Sequence, residues 1–230
     1  MVVNLKSWSA WVSGEETKSI PELSFLPSRM KRRMSQLSRM IVEIGHRLIS
    51  EEEVNDIIFA SRYGELNRQL KITEGILDDG EVSPAAFSQS VFNTPVALVS
   101  LLEKITGITR AVYAGPDSFQ MGLLQAVILA ASPGMGNILY LFGDENIPKT
   151  YEELVDEPKM PMALGMILSS ETISGYSPVA KIELVSGLPY EEYGQNRSAG
   201  QFLEWLGQED SELIHFGTSG CCFSVSNGTK

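Results

Sequence analysis

This sequence of 230 residues is poor in cysteine, in positive charge and in long apolar runs. Its two cysteines, Cys221 and Cys222, are adjacent, so they supply no framework of disulfide bridges. The formal net charge of −11 argues against general nucleic-acid binding, which requires a positive surface. No run approaches the roughly 20 apolar residues of a membrane span, and the first residues lack the pattern of a secretion signal. We therefore expect a cytoplasmic protein.

The apolar content of 43% is ordinary, and the chain is long enough to bury a full core. Strand and helix patterns alternate early and strands dominate late, which predicts an α/β fold in a single domain over residues 1–230. The clearest helix is predicted for residues 27–48, where apolar residues recur at spacings of three and four. Further helices are predicted at 65–77, 95–105 and 199–206. Strands are predicted at 57–60 and 138–142, and at 163–169 and 179–185, which would form a hairpin through Gly175.

Residues 109–131 are the centre of this pattern. A short β-type run is followed by a turn at Gly115, Pro116 and Asp117, an apolar helix pattern, and the strand predicted at 138–142, which together predict one crossover unit. Enzymes often place a nucleophile at such a strand-to-helix turn, where the positive end of the helix stabilises an anion. Here the turn holds Ser118, Phe119 and Gln120, and no cysteine.

Ser118 is the first candidate nucleophile, but a serine needs a base, and only His46 and His215 are available. The competing interpretation is that Ser118 or Asp117 caps the following helix. A thiol of Cys221 paired with His215 is a weaker candidate, because adjacent cysteines on a strand point to opposite faces and free cysteines are mostly buried.

The sequence predicts no cofactor and no metal site. Gly134 and Gly136 join a helix to a strand, which is the wrong order for a dinucleotide motif. Asp144 and Glu145 follow a predicted strand and could bind a metal, but no further ligands cluster with them, so we expect a solvated turn.

The basic residues concentrate in one place in this acidic chain, at Arg29, Lys31, Arg32, Arg33 and Arg39. Two interpretations stay open. Most surface charges contribute little, so the patch could be a solvated helix face. Alternatively, local positive charge would speed the encounter with an acidic partner.

Five segments together resemble one family. They are LP and RRM within residues 26–34, FASRYGE at 59–65, SPAAFSQSVFN at 83–93, AGPDSF at 114–119 and GDE at 143–145. In this order they resemble the short β-ketoacyl synthase-like proteins related to the N-terminal half of ketosynthases. Such proteins occur in bacterial aryl polyene gene clusters, where they are similar in role to a chain-length factor that pairs with an active ketosynthase. The resemblance runs from about residue 5 to about residue 170.

The resemblance implies a thiolase-like half-fold, a mixed sheet with helices packed on it. In ketosynthases the catalytic cysteine starts the helix after the elbow, in the pattern Cys-x-Ser-Gly-x-x-Ala. Matching Ala126 to that alanine places Gln120 at the cysteine position, and a shift of two residues would place Ser118 there. Neither supplies a thiolate, and the histidines that assist decarboxylation belong to the C-terminal half of ketosynthases. The resemblance therefore implies a non-catalytic subunit.

The family also implies partners and site residues. The chain would form a heterodimer with an active β-ketoacyl synthase and meet acyl chains carried by acyl carrier protein. The strand expected at the subunit interface comprises Thr109, Arg110, Ala111, Val112, Tyr113 and Ala114. Residues expected to wall the acyl pocket are Phe87, Phe92, Leu98, Phe119 and Gln120, with plain core packing as the alternative for the four apolar ones. Residues expected to dock the carrier are Arg29, Lys31, Arg32 and Arg33.

Two other functions stay open. One is a small acyltransferase or hydrolase that uses Ser118 or, with weaker support, Cys221. The other is a catalytically inert homodimer that binds a fatty-acyl ligand.

Overall fold

The structure is a computed structural model that describes residues 1–14, 20–155, 160–171, 178–185, 198–208, 213–218 and 221–228, without the side chain of Asp79. The strands are β1 (Val2–Val12), β2 (Asp56–Ala60), β3 (Thr109–Val112), β4 (Ile138–Asp144), β5 (Met162–Ser169), β6 (Ala180–Val185), β7 (Ile214–Thr218) and β8 (Cys221–Asn227). The helices are α1 (Ser28–Lys31), α2 (Gln36–Ile49), α3 (Leu66–Asp79), α4 (Pro84–Ser88), α5 (Thr94–Glu103), α6 (Ser118–Ala130) and α7 (Ala199–Leu206). Short 3-10 turns span Gly115–Asp117 and Lys149–Leu154.

The eight strands form one mixed sheet in the order β3-β2-β4-β5-β1-β6-β8-β7. β2 pairs in parallel with both β3 and β4, and the remaining neighbours are antiparallel. All five residues of β2 are buried, as expected for a parallel strand covered on both faces. The predicted α/β class is confirmed, and so is the crossover from β3 through α6 to β4.

The long helix predicted at residues 27–48 is wrong in one respect, because the structure divides it into α1 and α2. Ser35 has extended backbone and caps α2, since its hydroxyl oxygen accepts the Ser38 N–H at 2.9 Å. A short polar side chain that satisfies a first-turn N–H favours a new helix start over continuation. The apolar stripe continues through the break, so periodicity alone did not reveal it.

The hairpin predicted for residues 163–169 and 179–185 is also wrong. Both segments are strands, β5 and β6, but each pairs with a different edge of β1, which lies between them. Gly175, the predicted turn residue, lies outside the described residues. Residues 4–12 of β1 pair with β5 and residues 2–5 pair with β6, so its N-terminal part is hydrogen-bonded on both edges.

Helices cover the sheet on both faces and define two core clusters. On one face, α2 and α5 pack on β2, β4 and β5, with Ile41, Ile44 and Val99 buried against Leu141. On the other face, α6 and α7 pack on the sheet through an aromatic group centred on Phe119. Gly122 allows α6 to approach closely, because a Cβ there would lie 2.6 Å from that of Ala60.

Candidate functional site at the strand-to-helix elbow

The elbow between β3 and α6 is a closed local turn. Gly115 adopts φ +57°, a left-handed conformation that favours glycine, and lets the chain reverse after the strand. The Ser118 hydroxyl donates to the Gly115 carbonyl at 2.8 Å and accepts the Ala114 N–H at 3.0 Å. Ser118 is only 1% exposed. Its hydroxyl is therefore used to close the turn.

The predicted helix cap does not form as expected. Asp117 occupies the N-cap position of α6, but its side chain makes no capping hydrogen bond. Ser118 bonds backward to the turn and not forward into the helix. Both residues lie at the start of α6, as the sequence predicts, but it is the Ser118 side chain that closes the turn.

The histidines are not brought to the elbow serine. His46 on α2 lies 2.9 Å from a Glu103 carboxylate oxygen through its Nδ1, and its ring stacks on Phe25 at a centroid distance of 3.7 Å. His215 lies on β7. Within the described ranges, the hydrogen bonds of the Ser118 side chain go to Ala114 and Gly115, so no imidazole serves it as a base.

The cysteines do not form an activated thiol. Cys221 and Cys222 begin β8, with Cys221 half-buried and Cys222 buried. Burial raises the pKa of the Cys221 thiol to about 11, and the neighbouring Cys222 and Asp117 add to the effect. A thiol with a raised pKa is a poor nucleophile at neutral pH.

Phe119 and Gln120 follow the serine into the protein interior. Gln120 is 0% exposed, and Phe119 packs against Tyr140, Phe142 and other rings at centroid distances of 5.2 to 5.7 Å. The Tyr140 hydroxyl donates to the Phe119 carbonyl at 2.6 Å. Burial, with a smaller effect from Asp144, raises the pKa of Tyr140 well above its usual value. The first turn of α6 is thus held by the core.

The other predicted pocket residues lie apart from Phe119. Phe92 and Leu98 are partly buried on the opposite face of the sheet, where Phe92 lies 5.8 Å from Phe59 and 6.0 Å from Tyr113 between ring centroids. Phe87 on α4 is 60% exposed, so plain core packing does not account for it. Among the described residues they do not line one common cavity, because Phe119 borders one cavity and Leu98 another.

The predicted interface strand lies at an open edge of the sheet. β3 pairs with β2 on one side, and no strand of the described ranges pairs with its other side. Thr109, Arg110 and Tyr113 are exposed, Ala111 and Ala114 are half-buried, and Val112 is buried. Large apolar side chains are exposed along this edge and on the two helices that flank it, at Leu101 on α5, Ile108 and Tyr113 beside β3, and Ile128 on α6.

Two of the predicted basic residues, Arg32 and Arg33, line a groove that the sequence did not predict. Arg29, Arg32 and Arg33 are exposed at α1 and the turn after it, and Lys31 is tied to the Glu22 carbonyl at 3.0 Å. Arg39 donates to the Lys31 carbonyl at 3.1 Å and fixes the turn. Arg68 and Lys71 on α3 join Arg32 and Arg33 along a groove of about 810 Å³, which we call the basic groove. Arg68 and Lys71 are three residues apart on α3, and this spacing in the sequence indicates that the two cations share one face of the helix.

Three carboxylates beside the elbow form a cluster that we call the carboxylate cluster: Glu65, Asp144 and Glu145. Glu65 is 0% exposed and accepts the hydroxyls of Ser35 and Ser38, each at 2.7 Å, and the Arg68 Nε–H at 3.2 Å. The solvated turn predicted at Asp144 and Glu145 is therefore wrong for Glu145, which is 6% exposed.

Hydrogen bonds from distant parts of the chain satisfy the other two carboxylates. Asp144 accepts the Ser61 hydroxyl at 2.6 Å and the Tyr63 N–H at 2.9 Å. Glu145 accepts the Leu37 N–H at 3.2 Å and the Asn67 amide at 3.0 Å. Burial raises the pKa of Glu145, and Glu65 adds to the effect. Among the residues described, no group of three or more His, Cys, Asp or Glu side chains forms a metal site.

The sequence match is clear. The chain belongs to the β-ketoacyl synthase N-terminal domain family, whose sequence model matches residues 6–219. The resemblance inferred from the five segments is thereby confirmed. No curated protein sequence matches the chain.

Solved structures share the fold. A ketosynthase (ApeO) in complex with its chain length factor (ApeC) from Xenorhabdus doucetiae contains a chain that is 24% identical, with a TM-score of 0.76; the match covers 99% of this chain and 100% of that one. The ishigamide ketosynthase/chain length factor matches at 11% identity and a TM-score of 0.65, covering 80% and 67%. A type II polyketide synthase acyl carrier protein in complex with its ketosynthase, AntDE:AntF, contains a chain that matches at 11% identity and a TM-score of 0.64. The match covers 80% of this chain and 68% of that one. These likenesses confirm the thiolase-like fold.

None of the helices in the described ranges has the length and apolarity that a bilayer crossing requires.

Proposed function

We propose that this chain is a non-catalytic, chain-length-factor-like subunit that pairs with a separate, active β-ketoacyl synthase. Its partner would supply the cysteine and histidines for condensation, and the substrates would be polyene-type acyl chains on acyl carrier protein. The complex would act in polyketide-type biosynthesis of the aryl polyene kind. This chain would shape the acyl pocket and stabilise the heterodimer.

The elbow is the observation that carries the proposal. Its geometry places a tight turn before a buried helix, as a nucleophile requires, but the positions hold Ser118 and Gln120. The serine hydroxyl closes the turn, and Gln120 is buried under it. An active-site frame without a reactive group fits a subunit whose fold serves assembly.

The open edge at β3 supports pairing with another subunit. An unpaired strand edge is a template for association and is normally covered or blunted. Exposed apolar side chains at Leu101, Tyr113 and Ile128 extend the edge into a wider surface, with Tyr113 68% exposed. We propose that this edge, from Thr109 to Ala114, forms the interface with the synthase.

The pocket residues follow from the same interface. Phe92 contacts Tyr113 at the β3 edge, and Phe87 is exposed on α4. A partner docked on this edge would bury Phe87 and bring Phe92 and Leu98 close to its own tunnel. In this arrangement Phe119 and Gln120 support the elbow from within. A bulky side chain at the end of an apolar tunnel limits the chain length that fits, because overpacking costs about 1–3 kcal/mol.

The basic groove supports a docking role for an acidic carrier protein. Arg32 and Arg33 line it and are exposed on a chain of net charge −11, and Arg29 and Lys31 lie on the adjacent α1. Reversal of Arg32 and Arg33 to glutamate should weaken carrier binding and flatten its salt dependence. Reversal of Arg47, which already pairs with Glu43 at 2.8 Å, is the matched control. Unchanged carrier binding in the double variant would mean that these arginines form a solvated helix face and do not dock the carrier.

Co-expression with a ketosynthase encoded beside this chain tests the main proposal. Size exclusion with mass detection should give a one-to-one complex, and the complex should extend acyl chains while this chain alone should not. Leu101→Lys and Tyr113→Lys in combination should dissociate the complex, because both positions are exposed and the variants put charge into the proposed interface. A chain that condenses malonyl and acyl carrier proteins without a partner would refute the proposal.

A further inference from the structure

The basic groove holds cations that have no acidic partner in the described part of the chain. Arg32, Arg33 and Lys71 line it, and all three are exposed. Their side chains form no ion pair and no hydrogen bond with a described residue, although acidic residues outnumber basic ones by 29 to 18. Unpaired cations along one groove favour an anion that several of them can contact at once.

Arg68 fixes the two walls of the groove relative to each other. Its guanidinium donates to the Glu65 carboxylate at 3.2 Å, to the Gln89 side-chain oxygen at 3.4 Å and to the Arg33 carbonyl at 2.8 Å. These bonds tie α3 to the turn after α1. Lys71 lies on the same face of α3 as Arg68, so the unpaired cations of the two walls are held around one space.

The carboxylates on the lining leave these cations without neutralisation. Glu145 is 6% exposed, and it already accepts the Leu37 N–H and the Asn67 amide. Glu81 is exposed on the loop between α3 and α4. Three unpaired cations thus face one exposed acid and one buried acid that is hydrogen-bonded within the fold.

The groove is larger than a simple anion requires. Its volume of about 810 Å³ lies within the roughly 300–1,000 Å³ of small-molecule sites. Beyond the cations, part of the lining is apolar and comprises Ile72, Val82, Ala85 and Ala86. The groove therefore has room for an organic group attached to the anion.

We propose that the basic groove binds the diphosphate group of a small ligand, held by Arg32 and Arg33 from one wall and by Lys71 from the other. Two linked phosphates suit three cations on two walls, because they present several charged acceptor oxygens to guanidinium and ammonium groups. A bound diphosphate would compete with the carrier protein for Arg32 and Arg33. That competition rests on the proposed function, whereas the binding itself does not.

The test is calorimetric titration of the full chain with inorganic pyrophosphate and with adenosine diphosphate (ADP), at about 0.15 M salt to screen weak surface attraction. Both should bind saturably. Inorganic phosphate should bind at least about tenfold more weakly, because it carries fewer charges. Tighter binding of ADP than of pyrophosphate would identify an organic diphosphate as the ligand, and equal affinities would identify free diphosphate.

Lys71→Glu separates this site from carrier docking, because Lys71 is not among the residues assigned to the carrier. The variant should weaken pyrophosphate binding at least about tenfold. Lys181→Glu is the matched control, since it makes the same charge change at an exposed residue of β6 outside the groove lining. Its pyrophosphate affinity should match that of wild type. If the reversal at Lys71 disturbs α3, Lys71→Ala removes the charge alone and should also weaken binding.

Three results would overturn the inference: no saturable binding of pyrophosphate, equal affinity for phosphate, or unchanged binding when the charge of Lys71 is removed or reversed. Carrier protein that stays bound at saturating pyrophosphate would overturn the placement of the anion on Arg32 and Arg33. A chain that binds pyrophosphate but no carrier would support this inference and refute carrier docking. A chain that binds the carrier but no diphosphate would do the reverse.

Discussion

The elbow and the carboxylate cluster lie at the same ends of the parallel strands but are built in different ways. Ser118 bonds to residues three and four positions away in the chain. Glu65 bonds to Ser38 across 27 positions, and Glu145 to Leu37 across 108. The elbow is thus a local turn, whereas the cluster ties α2, α3 and the end of β4 together. The elbow resembles a catalytic site but only closes a turn. The carboxylate cluster links distant parts of the chain and therefore stabilises the fold.

The largest expected effect is loss of stability on replacing Glu65 by alanine. The change removes the acceptor of two serine hydroxyls and the partner of Arg68, which is 17% exposed at its side chain. Breaking one member of a buried charged pair costs about 3–5 kcal/mol. Chemical denaturation should report a loss of this size in the free energy of unfolding.

Two variants sharpen that experiment. Glu74 is exposed on α3, the helix that Glu65 precedes, so the free energy of unfolding of Glu74→Ala should stay within about 0.5 kcal/mol of wild type. Glu65→Gln keeps an acceptor for the serines and loses the charge, so its effect should fall between the two. Equal stability of Glu65→Ala and wild type would show that the cluster does not hold the fold.

A smaller effect is expected at the elbow. Ser118→Ala leaves the Ala114 N–H without its acceptor, which costs about 1–2 kcal/mol. Any acyl-transfer or hydrolytic activity of a preparation should persist in the variant, because the hydroxyl closes the turn. Ser132→Ala, which removes a bond to the Ile128 carbonyl at the other end of α6, is the control for a serine in a surface position.

The opposite result would change the function assigned to the elbow. A Ser118→Ala variant that folds with near-native stability and loses turnover would identify a serine nucleophile. The small acyltransferase or hydrolase would then replace the subunit as the leading function.

The contrast between the elbow and the carboxylate cluster also explains how much of the fold and of the site the sequence could predict. Periodicity and turn chemistry are local, and they predicted the α/β class, the crossover and α7 at residues 199–206. The five family segments predicted the family. The elbow residues were also predicted from local pattern, although the direction in which Ser118 bonds was not.

Features set by tertiary contacts were missed or predicted wrongly. The interruption between α1 and α2 depends on Ser35, whose hydroxyl oxygen caps α2 and whose O–H donates to the distant Glu65. The assumed hairpin of β5 and β6 failed because β1 separates them, and nothing local signals that pairing. Burial of Glu145 is likewise invisible in sequence, where two acids after a strand are typical of a solvated turn.

The smallest effect is a pH dependence that comes from Glu145. Burial, reinforced by Glu65, raises its pKa in the folded state above the ordinary value of 4.5. As pH rises from that value, the unfolded chain loses this proton first and the folded chain retains it, so Glu145 lowers stability over this window. Glu145→Gln resembles the protonated acid and removes the titration. Its free energy of unfolding should therefore fall less steeply than that of wild type between pH 4.5 and neutrality.

Denaturation series at several pH values measure this slope, with exposed Glu81→Gln as the control, which should follow wild type. A steeper fall in the Glu145→Gln variant would mean that the ionised carboxylate stabilises the fold through the Leu37 N–H and Asn67. In that case the hydrogen bonds to the Glu145 carboxylate would outweigh the cost of its desolvation. The expected sign instead means that ionising the buried Glu145 carboxylate costs more free energy than its hydrogen bonds return.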